Sequence, residues 1–149
     1  MPKTSSGTRT ISEVMTTDIA TCPRDATCMD AAKIMRDRDI GPVLVTEGDQ
    51  LVGIATDRDI TVRVVAEGMD PSTTPIDTAT TMSLVTVSPT TTLEEAAATM
   101  KREAVRRLPV VDNGRPVGIV ALGDLARDDQ SADEAGDALV DISEAPPDN

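Results

Sequence analysis

Four consecutive residues, Thr56-Asp57-Arg58-Asp59, hold the side chains best suited to chemistry in this chain of 149 residues. Thr56 offers a hydroxyl, Asp59 a carboxylate three residues on, and Arg58 a guanidinium between them. A ribose phosphate suits that set: Asp59 can accept from two adjacent sugar hydroxyls, and Arg58 can pair with phosphate. If the run also opens a helix, its free amides and positive dipole end favour an anion. The same Thr-x-x-Asp spacing is equally an ordinary helix cap contributing about 1 kcal/mol. Both readings stand on these residues alone.

Catalysis has little to draw on. The chain has no His, Phe, Tyr or Trp, and His is the side chain whose unperturbed pKa lies near neutrality. No nucleophile has a partnered base in the sequence, and no glycine-rich phosphate loop is present, so no enzyme and no prosthetic group is expected. Cys22 and Cys28 are the only soft donors, whereas a closed zinc site takes four N or S ligands. They read as small apolar residues of a reduced protein. No metal is expected.

Charge is unevenly placed. Of the formal net charge of −12, eight acidic residues fall after residue 127 with no basic residue among them, leaving −4 for the rest. Residues 129–149, with Pro146 and Pro147, therefore read as an acidic disordered tail. Nucleic acid is not an expected partner, because duplex binding needs a basic face. No apolar run reaches the length of a membrane span, and residues 1–10 lack a secretory hydrophobic stretch, so a cytoplasmic location is expected with no membrane partner.

The elements that would hold Thr56 and Asp59 occur twice. Residues 18–60 recur without a gap as residues 83–125, with Thr21, Thr27, Ala31, Met35, Gly53 and Asp59 returning as Thr86, Thr92, Ala96, Met100, Gly118 and Asp124. One supersecondary unit is thus carried in two copies. A single copy would bury only about 60% of its unfolded surface, so two copies sharing one core is the expected body.

Within the first copy, Ile19 to Cys22 reads as a short strand ended by Pro23. Thr27 and Asp30 stand in capping-box spacing before a stripe of Cys28, Ala31, Ala32 and Met35, and Thr92, Glu95, Leu93, Ala96, Ala97 and Met100 repeat the pattern. Two hairpins follow the helices, 42–46 with 51–55 and 107–111 with 116–121. Asn113-Gly114 is a strong turn signal for the second. A further helix starts near Asp57 and carries Ile60, Val64 and Val65. The unit is therefore strand, helix, hairpin, helix, with a linker at residues 68–75.

That order, together with Val52-Gly53-Ile54-Ala55-Thr56-Asp57-Arg58-Asp59-Ile60, resembles a tandem pair of CBS domains over about residues 11–128. The chain is similar to stand-alone members of the hypoxia-response type. The resemblance implies an α/β (α+β) fold with domains at 11–67 and 76–128, packed with pseudo-twofold symmetry. It further implies a regulatory, non-catalytic module that holds AMP, ADP, ATP or S-adenosylmethionine in clefts between the repeats and signals to an unidentified protein partner, commonly as a homodimer. The alternative is a ligand-independent dimerising interaction protein.

By family position, Thr56 and Asp59 contact ribose and phosphate, and Ala20, Thr21, Cys22, Ile40, Gly41 and Pro42 line the same cleft. The second cleft would use Val85, Thr86, Val87, Val105 and Leu108. There the motif degrades to Ala121-Leu122-Gly123-Asp124. Asp124 can still hold a ribose, but the phosphate needs another partner, for which Arg106 and Arg107 are the candidates. The first site is thus expected to be the more complete.

Overall fold

A computed structural model of the protein describes residues 9–82 and 84–127. The acidic tail expected over residues 129–149 lies outside the described residues.

Capping boxes open both long helices where the spacing places them. In α1 (Cys28–Arg38), Thr27 Oγ1 accepts from the Asp30 amide at 3.1 Å and Asp30 Oδ2 accepts from the Thr27 amide at 3.1 Å. The Thr92 and Glu95 pair repeats this at 3.1 and 2.9 Å in Leu93–Glu103. Both helices end on a left-handed residue, Asp39 at φ 54° and Ala104 at φ 57°. Their buried stripes are Cys28, Ala31 and Met35 in one, and Leu93, Ala96, Ala97 and Met100 in the other.

Strands β1 (Thr21–Pro23), β2 (Pro42–Glu47) and β3 (Gln50–Thr56) form a sheet in that order, with β1 parallel to β2 and β2 antiparallel to β3. Among the described residues of the second copy only the hairpin β4 (Arg107–Asp112) and β5 (Arg115–Ala121) forms a sheet, while Val87 contributes a single parallel bridge to Val110. The turn between them uses Asn113 at φ 55° and Gly114 at φ 82°, the two positive φ values a tight hairpin turn needs.

Each hairpin runs directly into a short helix, α2 (Asp57–Ile60) in the first copy and α4 (Leu122–Ala126) in the second, so the long helix of the second copy is α3. After α2 the backbone widens to a π-helical turn over Thr61–Val65, closed by the Ala66 amide on Thr61 O at 2.9 Å. Of the three apolar residues expected in this helix, Val65 is 56% exposed, while Ile60 and Val64 are buried. Ile60 and Val64, at i and i+4, share the inner face, and Val65 turns away from it.

Two compact units result, and they are not the two sequence copies. One joins the described residues up to Thr17 to residues 85–112 and those from Val117 on; the other joins Asp18–Leu84 to Asn113–Pro116. The segment leading into each copy thus belongs to the other copy's unit. Thr10 bridges Thr92 and Thr16 bridges Ile119, while 65 positions later Pro75 bridges Thr27 and Thr81 bridges Ile54. Ile11 and Ile76, each in a 3-10 turn of its segment, are fully buried.

Glycine makes this crossing possible. A Cβ at Gly53 would stand 2.6 Å from Thr81 O and press on the Thr80 methyl, and one at Gly118 would stand 2.7 Å from Met15 Sδ and 2.9 Å from Thr16 O. Only a residue without a side chain lets backbone approach a strand so closely. The buried residues correspondingly form two clusters in place of the single shared core expected from length. One holds Ile11, Leu93, Met100, Leu108 and Val110 among others, and the second holds Cys22, Cys28, Val43, Val45 and Ile76.

Candidate functional site

The end of β3 and the start of β2 meet at one end of the first sheet. Pro42 pairs in register with Thr56, and the Asp57 amide donates to Gly41 O at 3.1 Å. Ile40, Gly41 and Pro42 therefore lie beside the Thr56–Asp59 run. Thr21 pairs with Leu44 two residues further along β2, and Ala20 O accepts from the Leu44 amide at 2.9 Å. Seven residues that sequence had grouped, Ala20, Thr21, Ile40, Gly41, Pro42, Thr56 and Asp59, are thus gathered around one edge of this unit.

Thr56 and Asp59 form a full capping box. Thr56 Oγ1 accepts from the Asp59 amide at 3.1 Å, and Asp59 Oδ2 accepts from the Thr56 amide at 2.9 Å. Thr56 is buried, whereas the Asp59 side chain keeps 14% of its surface. Its second oxygen, Oδ1, has Arg63 Nη2 at 3.9 Å, too far for a hydrogen bond. Asp59 therefore anchors the helix with one oxygen and retains accepting capacity on the other. Arg58 is exposed, and its amide donates to Asp57 Oδ1 at 2.9 Å.

The second unit repeats the backbone with different side chains. The Leu122 amide donates to Arg106 O at 2.8 Å, as Asp57 does to Gly41. Asp124 Oδ2 accepts from the Ala121 amide at 2.8 Å, but Ala121 has no hydroxyl to return the bond. Asp124 Oδ1 instead pairs with Arg127. Arg106 is exposed and Arg107 half-buried. A cavity of about 240 Å³ opens here, lined by Arg9, Val14, Asp124 and Arg127. Sequence reasoning named neither Arg9 nor Arg127. The signal available was the offset of 65, which relates Ile11 to Ile76 and so extends the repeat upstream to the segment carrying Arg9.

Four side chains expected to line the site are interior. Ala20, Cys22, Val87 and Leu108 are 4%, 3%, 8% and 1% exposed and belong to the core clusters. Val85 and Val105 are partly buried against the same cluster, and Thr86 is exposed. Both thiols are free. Burial, then the charge of Asp30 and then Cys28, pushes the Cys22 thiol up to about 11, and burial also raises Cys28.

The chain matches the family model of the CBS domain twice, over residues 11–66 and 71–131, each match holding one hairpin that runs directly into a helix. The chain belongs to the CBS-domain family. It is 41% identical over 133 residues to the CBS domain-containing protein YhcV of Bacillus subtilis, covering 89% of this chain and 94% of that one. Among solved structures, Hypoxic Response Protein I with two coordinated zinc ions is 33% identical with a TM-score of 0.72, covering 80% of this chain and 98% of that one. A hexameric CBS-CP12 protein from bloom-forming cyanobacteria is 27% identical with a TM-score of 0.73, covering 87% and 77%.

This CBS pair is thus a mixed α/β protein of two CBS repeats, similar to stand-alone members that include a hypoxic response protein. The chain lacks histidine, and among the described residues no group of three His, Cys, Asp or Glu could hold a metal ion. Among the same residues no helix is long and apolar enough to cross a membrane.

Proposed function

We propose that this CBS pair is a cytoplasmic regulatory module that binds an adenosine-containing ligand (AMP, ADP, ATP or S-adenosylmethionine) at its two hairpin-to-helix junctions and carries no catalytic activity. The observation that carries the reading is the divided role of Asp59. One oxygen is fixed by the Thr56 amide, and the other, on a side chain that is 14% exposed, has Arg63 at 3.9 Å. A carboxylate held this way accepts from ribose hydroxyls without loss of the cap. Thr56 and Arg58 supply a hydroxyl and a cation for phosphate, and Ile40, Gly41, Pro42, Ala20 and Thr21 offer an apolar and backbone surface for the purine. The ligand acts on a protein partner by favouring one of two arrangements of the chain, which requires unequal affinity for them.

The chain has no aromatic residues, so purified protein is nearly transparent at 280 nm and a band at 260 nm reports retained nucleotide. With stripped protein, AMP at 100 times its dissociation constant should add about 2.7 kcal/mol to stability. A melting temperature unmoved by AMP, ATP and S-adenosylmethionine alike would refute the reading.

Exposed Val62, Val65 and Met69, at 48%, 56% and 44%, favour a second one, in which the pair dimerises without ligand. A homodimer is compatible with both. Dimer formation that is independent of nucleotide, together with no ligand-induced stabilisation, would select the second.

A further inference from the structure

We infer that the chain's own segment 135–142 docks on the exposed apolar face of Met29, Val62, Val65 and Met69 and competes there with a second copy. The inference goes beyond the nucleotide reading and does not rest on it.

The five large apolar side chains exposed among the described residues, these four and Met82, all belong to one unit. Backbone bonds draw four of them together. The Met69 amide donates to Val64 O at 3.0 Å, and the Met29 amide donates to Pro71 O at 3.0 Å, so the start of α1 and the loop after the π-helical turn meet beside Val62 and Val65. At the offset of 65, Met29, Val62 and Met69 correspond to Glu94, Arg127 and Glu134. The repeat itself therefore does not require an apolar face here. Methionine is an adaptable contact residue, and apolar faces of this kind receive amphipathic helices.

Beyond residue 131, where the second family match ends, Ala135, Ala138, Leu139 and Ile142 stand at i, i+3, i+4 and i+7. That spacing gathers apolar side chains on one helix face. A segment so short is marginal as a helix alone and gains by packing its stripe against apolar surface. The eight residues from Arg127 to Ala135 extend to about 26 Å, so the segment is not confined to the helix it follows.

Charge selects the same occupant. Asp133, Glu134, Asp137, Asp141 and Glu144 surround the stripe, and no basic residue accompanies them. On the receiving face Arg58 is exposed, and Arg63 has Asp59 only at 3.9 Å, so both can take a carboxylate. Glu67 and Asp70 border the other end, where Asp70 Oδ1 already accepts from the Ser72 amide and hydroxyl at 2.9 and 2.7 Å. A second copy brings both signs of charge to this face, the segment only carboxylates.

Hydrogen peroxide oxidation of the full chain, followed by mass spectrometry, tests this with an internal reference. Met69 and Met82 are 44% and 42% exposed, so without a cover they oxidise alike. Met69 should oxidise about fivefold or more slowly than Met82, the ratio that a docking preference near 1 kcal/mol gives. Leu139→Asp combined with Ile142→Asp should bring the two rates together, and Val65→Asp, at an exposed position, should do the same from the receiving side. Arg63→Gln should move them part of the way. Sedimentation should show more self-association in the Leu139→Asp, Ile142→Asp chain than in the unsubstituted one. Equal rates in the unsubstituted chain overturn the inference. So does a protected Met69 that ignores the double substitution, and protection that then rises with protein concentration would assign the face to a second copy. Converging rates with no gain in self-association overturn the competition.

Discussion

The junctions at Thr56 and Ala121 have one backbone and two chemistries. In both, an aspartate three residues into the helix takes the amide of the last strand residue, at 2.9 Å in the first and 2.8 Å in the second. Only the first has the reciprocal bond, from the Asp59 amide to Thr56 Oγ1. The persistence of Asp124 without its threonine shows that the carboxylate alone suffices for the turn into the helix. What surrounds it then sets its use: Arg63 at 3.9 Å beside Asp59, and Arg127 directly on Asp124.

The largest effect of exchanging features between the units is expected at the crossing glycines. Gly53→Ala should destabilise by about 1–3 kcal/mol, because its Cβ meets backbone at Thr81 O and cannot be relieved by a rotamer change. Gly118→Ala should destabilise less, since part of its clash is with the flexible end of Met15. Urea unfolding checks both, and equal losses would mean that the two crossings are packed alike.

Next is the missing half of the capping box. Ala121 lies at φ −110° and ψ 157°, the extended conformation an N-cap threonine adopts. Ala121→Thr should therefore stabilise by up to about 1 kcal/mol and Thr56→Ala should destabilise by a similar amount. If Ala121→Thr is neutral, the two junctions are less alike than their hydrogen bonds indicate.

The helix ends give a similar or smaller difference. Ala104→Gly should stabilise by about 1 kcal/mol, because alanine is strained at φ 57°. Asp39→Gly should give less, since aspartate tolerates that region better. Thermal melts of the two variants would separate them.

Smallest is an alkaline effect confined to one unit. Position 22 is a cysteine where the other copy has Val87. With its folded pKa raised to about 11, above the ordinary thiol value, Cys22 contributes stability that is whole below the unfolded pKa. That contribution is lost as pH rises through about 9 to 11, because the unfolded chain releases the proton first. Cys22→Val should flatten the fall in melting temperature over that window. An unchanged slope would place the alkaline loss elsewhere.

Much of this arrangement was legible in the residues. The boxes at Thr27, Thr92 and Thr56 and the Asn113-Gly114 turn are local, so spacing alone located them. Two things were not local. The exchange of leading segments depends on Gly53 and Gly118 being crossed by residues distant in sequence, and a glycine within a strand does not say what approaches it. Arg9 was hidden for the same reason, because it lines the cavity beside Asp124 only through that exchange.

The most direct test of the central claim, that the two motif aspartates hold a nucleotide, is AMP-induced stabilisation of the full chain measured for Asp59→Ala, Asp124→Ala and the double variant against the unsubstituted protein. Each single change should remove part of the shift in melting temperature, and the double should abolish it while the protein still folds cooperatively. A double variant that AMP stabilises as well as the original would place the ligand somewhere other than these carboxylates.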